Sequence, residues 1–301
     1  MAACCLFALA GASHAQSESA AGTLAENVIF HSYSSYSTYG ELARRLMSAT
    51  AATQLERQLA AAGASLSGQP IDLAAENFSV YVPAHEPEEG YGLLIFVPPW
   101  QRARLPAGWE HALDQQGVIF VSAGRSGNDE NTMGRREPLA LLAAHNVMSR
   151  YPVNVRRVFI GGFSGGSRVA LRLALGYPDL FHGAVLNAGS DMMGAPGAEP
   201  PIPLPPRELL YRFQESSHVV YVTGARDSDH LADDQLSVRS LHHWCVFGTD
   251  VITVPQGEHE VATGAMLSSA LRRLVDAQPP DPARLARCRA TIEPGLSALA
   301  E

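Results

Sequence analysis

The stretch from Arg156 to Leu171 reads RRVFIGGFSGGSRVAL, in which an apolar, β-favouring run meets a helix-favouring run at a glycine-rich junction. This order predicts a strand, a sharp turn at Ser164 and then a helix. Gly162 and Gly166 lie two residues before and two residues after the serine. Glycine is required at such positions when neighbouring backbone approaches too closely for a Cβ. An ordinary Gly-Ser turn is the alternative interpretation.

Apolar runs alternate with helical segments on both sides of this turn, which is typical of a mostly parallel sheet with helices on both faces. We expect an α/β fold in which residues 71–301 form one catalytic domain. Met192–Pro206 contains six prolines and is predicted to be an irregular loop. The predicted strands are Asn77–Val82, Leu93–Val97, Val118–Ser122, Val158–Ile160, Gly183–Leu186, Val219–Thr223 and Val251–Val254. The predicted helices are Arg136–Arg150, Ser167–Leu175, Ser237–Phe247 and Gly264–Val275.

The first fifteen residues, MAACCLFALAGASHA, carry no Lys, Arg, Asp or Glu and end in the small-x-small pattern Ser13-His14-Ala15. This pattern predicts an export signal peptide over residues 1–15, so we expect a secreted or periplasmic protein. A buried N-terminal helix is the alternative. Residues 16–70 are first rich in Ser and Tyr and then helix-favouring from Glu41 to Ala62. We expect them to form an N-terminal helical appendage.

The charge and the cysteines exclude several classes of function. Twenty-two Lys and Arg against 30 Asp and Glu give a net charge of −8, and the sequence has no basic cluster. We therefore expect no nucleic-acid partner, and the apolar N-terminal run is too short to span a membrane. Beyond the signal peptide only Cys245 and Cys288 remain, which predicts a disulfide; two free thiols are the alternative. No Cys/His spacing predicts a metal site.

Ser164 is the candidate nucleophile, and the helix that starts at Gly165 directs free N–H groups towards it. A serine hydroxyl needs a histidine base that a carboxylate orients, and the expected chain order is Ser, acid, His. Asp227 directly follows a predicted strand and is the favoured acid, with Asp229 as the competitor. His259 follows the last predicted strand and is the favoured base.

The second oxyanion donor is expected in the loop after the strand that ends at Val97. Pro98 and Pro99 have no N–H, so the amide of Trp100 or of Gln101 is expected to donate beside that of Gly165. Core packing of the Trp100 ring is the alternative role for that residue.

Three phrases carry a resemblance to a known superfamily. They are Phe163-Ser-Gly-Gly-Ser-Arg168, Tyr177-Pro-Asp-Leu-Phe181 and Pro255-x-Gly-x-His259. Over about residues 75–275 the chain resembles the α/β-hydrolases, specifically their exported poly(3-hydroxybutyrate)-depolymerase-like and feruloyl-esterase-like branch. The resemblance implies a Ser-Asp-His triad, no cofactor, and hydrolysis of carboxylic esters that are either small molecules or polymers.

Two other functions remain open on the same scaffold. One is a serine peptidase that resembles the prolyl-oligopeptidase catalytic domain, which shares the triad and the turn around the nucleophile. The other is a catalytically inactive binding protein. Ser164, Asp227 and His259 stand in the expected order, which argues against the inactive binding protein. The choice between esterase and peptidase depends on loops such as Met192–Pro206, which the sequence alone does not decode.

Overall fold

A computed structural model describes residues 21–194 and 202–300 of the chain. This part of the chain contains eight strands, which form one sheet, and nine α-helices. The strands are β1 (Thr23–Val28), β2 (Phe78–Val82), β3 (Tyr91–Val97), β4 (Val118–Ala123), β5 (Val153–Phe163), β6 (Gly183–Asn187), β7 (His218–Gly224) and β8 (Thr249–Val254). The helices are α1 (Tyr39–Leu46), α2 (Ala49–Ala61), α3 (Glu110–Gln116), α4 (Glu137–Arg150), α5 (Gly165–Gly176), α6 (Arg207–Ser216), α7 (Ser228–His243), α8 (Gly264–Val275) and α9 (Pro282–Ala300).

The strand order in the sheet is β1-β2-β4-β3-β5-β6-β7-β8. β2 is antiparallel to both β1 and β4, and all the other neighbours are parallel. The carboxyl ends of β3 to β8 therefore meet at one edge of the sheet. Loops that leave this edge are where α/β proteins gather their ligand-contacting residues.

Both faces of the central strands are buried, because side chains along a strand alternate between the two faces. In β3, Leu93, Ile95 and Val97 contribute to one hydrophobic cluster, while Leu94 and Phe96 contribute to the other. The first cluster also contains buried side chains of α4 and α5, and the second contains those of α3 and α8. The apolar runs of the central strands thus reflect burial on two sides.

The N-terminal segment contains helices α1 and α2, in the stretch expected to be helical, and it also joins the sheet and the core. β1 pairs with β2 at the sheet edge, and Leu42 of α1 is buried in the larger cluster. The guanidinium of Arg45 binds both carboxylate oxygens of Asp179, at 2.6 and 2.9 Å, and lies over the rings of Tyr36 and Tyr177. β1 is mostly exposed, so it lacks the apolar alternation that would have predicted a strand.

All seven predicted strands and three of the four predicted helices match observed elements within a few residues. The exception is the predicted helix Ser237–Phe247, since the observed helix α7 runs from Ser228 to His243. The prediction missed the start of α7 because its first turns are polar and show no apolar periodicity. Strand β1 and helices α3, α6 and α9 have no counterpart in the prediction. The predicted signal peptide lies outside the described residues, as do residues 195–201 of the predicted proline-rich loop.

Cys245 and Cys288 form a disulfide with a Cα–Cα distance of 5.8 Å. The bond links the turn after α7, where Cys245 is fully buried, to α9. Arg289, next to Cys288, binds Gln214 and Glu215 of α6. The predicted disulfide therefore joins the C-terminal helix to the body of the protein. In the described part of the chain, no helix combines the length and the apolar character that crossing a bilayer requires.

Replacing Cys245 and Cys288 together by serine should lower the free energy of unfolding by about 3–4 kcal/mol. The bridge joins residues 43 positions apart and so restricts the unfolded chain. Denaturant unfolding of the two proteins measures the difference. Dithiothreitol should lower the unfolding midpoint of the natural protein and leave that of the serine variant unchanged. Equal midpoints for the oxidised protein and the variant would contradict this expectation.

Candidate active site

The turn between β5 and α5 places Ser164 at the carboxyl edge of the sheet. Its backbone has φ 55° and ψ −126°, a left-handed conformation that is costly for a residue with a side chain. A Cβ on Gly162 would overlap the backbone of Gly166, and a Cβ on Gly166 would overlap the carbonyl of Val97. The two flanking glycines are therefore required by close backbone contacts, as the sequence predicted.

The loops after β7 and β8 are joined directly. The Arg226 amide donates to the carbonyl of Gly257 at 2.9 Å, and the Ala225 amide donates to Val254 at the end of β8. A Cβ on Gly224 would overlap Gly257, so the two loops touch backbone to backbone. This contact holds the residues that follow, Asp227 and His259, at a fixed separation although they lie 32 positions apart.

Ser164, His259 and Asp227 form a continuous set of hydrogen bonds. His259 Nδ1 lies 2.7 Å from Asp227 Oδ2, and its Nε2 lies 3.1 Å from Ser164 Oγ. Because a carboxylate only accepts, Nδ1 carries the proton, and Nε2 of the neutral ring accepts from the serine hydroxyl. Asp229, the competing acid, lies exposed in the first turn of α7. The structure thus brings together the three residues favoured from the sequence.

Asp227 accepts from a second histidine as well. His230 Nδ1 donates to Asp227 Oδ1 at 2.7 Å, and its ring stacks on that of His259 with centroids 4.3 Å apart. Burial raises the pKa of Asp227, but the hydrogen bonds from His230 and His259 outweigh this effect, and the pKa is lowered overall. Asp227 therefore stays ionised between the two imidazoles. Among the described residues, these three also form the group whose atoms could bind a metal ion.

The loop from Val97 to Gln101, in which the sequence predicts the second oxyanion donor, lies against α5. Its carbonyls at Pro98, Pro99 and Gln101 accept hydrogen bonds from Arg136, Asn128 and Arg125, respectively. In the described residues no hydrogen bond takes up the N–H of Trp100. The Trp100 ring packs near Phe96 and Phe163, with centroids 6.0 and 6.3 Å away, so it also has the packing role that was the alternative.

Arg136 is a buried cation behind this loop. Its guanidinium donates to the carbonyls of Ser126 and Pro98 and to Oδ1 of Asn128, and only 4% of the residue is exposed. These acceptors are neutral, and burial lowers the pKa of Arg136 to about 10. The Asn128 side chain lies where a Cβ of Gly165 would be. Arg136 therefore connects the loops that flank the start of α5.

Sequence reasoning left out three residues that shape the site. For His230, the available signal was its position three residues after Asp227, at the start of a helix. Asn187 ends β6 and Arg136 precedes α4. No motif marks either residue, since their roles depend on contacts between distant loops.

Comparison with known proteins gives the fold. No family model and no curated protein matches the chain. Among solved structures, an S-formylglutathione hydrolase from Staphylococcus aureus aligns with a TM-score of 0.51 and 15% identity, covering 66% of this chain and 92% of that one. The chain has the α/β-hydrolase fold. The strand order and the turn at Ser164 agree with this result, which confirms the fold that the sequence predicted.

Two further solved structures are similar at lower scores. A poly(3-hydroxybutyrate) depolymerase from Bordetella parapertussis gives a TM-score of 0.48 at 17% identity, over 71% of this chain and 88% of that one. A dipeptidyl peptidase 4 from Porphyromonas gingivalis gives 0.46 at 17% identity, over 67% of this chain. This chain spans only 34% of the length of that peptidase.

Proposed function

We propose that the protein is a serine hydrolase that cleaves carboxylic esters, either small or polymeric, through an acyl-enzyme. The observation that carries the proposal is the hydrogen-bonded set in which Asp227 orients His259 and Nε2 of His259 faces Ser164 Oγ at 3.1 Å. This arrangement is the one that converts a serine hydroxyl into a nucleophile. In this proposal the reaction needs no cofactor.

The proposed reaction has two stages. Ser164 Oγ attacks the ester carbonyl carbon while His259 Nε2 takes the hydroxyl proton, and the carbonyl oxygen becomes an oxyanion. The N–H groups of Gly165 and of Trp100 or Gln101 hold that oxyanion. Its collapse expels the alcohol, which receives the proton from His259. Water, activated by the same imidazole, then attacks the acyl carbon and releases the acid and free Ser164.

We also propose that the protein acts outside the cytoplasm, in the periplasm or as a secreted enzyme. The disulfide between Cys245 and Cys288 supports this location, because such bonds persist in oxidising compartments. The predicted signal peptide over residues 1–15 is consistent with it.

A peptidase and an inactive binding protein are the alternatives to the proposed esterase. Cleavage of peptide anilides in preference to matched p-nitrophenyl esters would favour the first, and failure of a fluorophosphonate to label Ser164 would favour the second.

Replacing Ser164 by alanine should reduce hydrolysis of p-nitrophenyl butyrate by at least about 1,000-fold, because the acyl-enzyme cannot form. Initial rates and fluorophosphonate labelling of the same preparations measure the effect. Ser228→Ala is the matched control, since this exposed hydroxyl lies next to Asp227 but outside the hydrogen-bonded set, and its rate should stay within about twofold. Near-full activity in Ser164→Ala would reject the proposal.

Replacing Asp227 by asparagine should lower kcat by about 10,000-fold, because the amide allows the wrong imidazole tautomer to face Ser164. Asp229→Asn is the matched comparison: it removes an equal charge two residues away, on a side chain that accepts from Ser228, whereas His259 pairs with Asp227. Steady-state kinetics of both variants should show the large loss only in Asp227→Asn. A loss confined to Asp229→Asn would transfer the orienting role to Asp229.

A further inference from the structure

A second imidazole lies beside the proposed triad. His230 Nδ1 and His259 Nδ1 each lie 2.7 Å from a different oxygen of the Asp227 carboxylate. The two rings are stacked, with 20° between their planes. One carboxylate thus faces the same type of nitrogen on two neighbouring rings, an arrangement that Ser164 chemistry by itself does not require.

We propose that Asp227, His230 and His259 form an inhibitory site for Zn²⁺. Two imidazole nitrogens and one carboxylate oxygen are a ligand set that this ion prefers, with water as the fourth ligand. The three ligand atoms already lie within 4.8 Å of one another. Zinc–ligand bonds are about 2.0–2.2 Å long, so small rotations of the two side chains bring all three atoms to the ion.

The ion can reach this cluster from solvent. The side chain of His259 is 40% exposed and that of His230 is 24% exposed, whereas that of Asp227 is only 8% exposed. The two accessible rings can therefore turn, while the carboxylate beneath them supplies a fixed negative charge. This distribution suits capture of a cation from outside rather than a buried structural metal.

Zinc bound at this position blocks the proposed reaction, so this part of the inference depends on the proposed function. Each ring binds the ion as a neutral imidazole through Nδ1. The proton that leaves Nδ1 goes to solvent, and Nε2 takes up one proton, so each ring keeps one proton in total. His259 then presents N–H instead of a lone pair to Ser164 Oγ and cannot accept the hydroxyl proton.

Binding is measured first in the Ser164→Ala background, where it does not depend on turnover. Competition for Zn²⁺ with a chromophoric chelator should show a site that His230→Asn weakens by at least about tenfold. Asparagine places an amide N–H near the position of Nδ1, so donation to Asp227 is kept, but an amide is a poor zinc ligand. His242→Asn, which removes a histidine of α7 outside the cluster, should leave the affinity unchanged, and thermal unfolding checks that each variant is folded.

Inhibition is measured next in the protein with Ser164 intact. Zn²⁺ should inhibit ester hydrolysis reversibly on addition of EDTA, and the inhibitory concentration should rise at least about tenfold in His230→Asn relative to that variant's own metal-free rate. Equal zinc affinity in the His230→Asn and His242→Asn proteins would overturn the site. Zinc binding without inhibition would overturn the proposal that the bound ion holds His259 in a tautomer that cannot accept the proton of Ser164. Zinc binding in a protein that cleaves no ester would instead reject the proposed function and leave the site standing.

Discussion

Asn187 holds the turn at Ser164 and the loop that carries His259 in one hydrogen-bonded unit. Its carbonyl accepts from the amide of Ser164 at 2.9 Å, and its side-chain oxygen accepts from the amide of Ala262 at 2.6 Å. Its side-chain nitrogen donates to Val222 in β7. Only 3% of Asn187 is exposed, so these bonds are shielded from competing water. The strained backbone of Ser164 persists because buried bonds of this kind over-determine it.

The start of α5, where the proposed reaction places the oxyanion, depends on a different buried group. The hydrogen bonds from Arg136 to Pro98 and Asn128 fix two loops that leave β3 and β4. The direct acceptors of Arg136 are neutral, and Glu137 and Glu130 act on its charge only through space, raising the pKa that burial lowers. The start of α5 at Gly165 itself presents the positive end of a helix, which favours a negative charge there. Arg136 therefore fixes the positions of the two loops beside the start of α5.

The sequence predicted those parts of the molecule that are determined by local sequence patterns. Strands buried on both faces give apolar runs, and backbone crowding demands Gly162 and Gly166, so the fold and Ser164 follow from short windows. Asp227 and His259 were predicted because parallel strands deliver their carboxyl ends to one edge. β1 escaped prediction because an exposed edge strand needs no apolar side chains. The role of Asn187 was not predicted, because its hydrogen bonds join residues that are distant in the chain. Composition and periodicity give no information about such contacts.

The position of the catalytic imidazole in this proposal is determined by its neighbours rather than by burial. With 40% of its side chain exposed, His259 is not confined by a packed core. Its ring instead contacts Phe163, with centroids 4.9 Å apart, and stacks on His230, while Nδ1 is bound to Asp227. An exposed base can exchange protons with water easily, which a hydrolase requires in its second stage. The same exposure leaves the two imidazoles accessible to cations, with the Asp227 carboxylate beneath them. Access for water and the proposed sensitivity to metal ions therefore have the same structural origin.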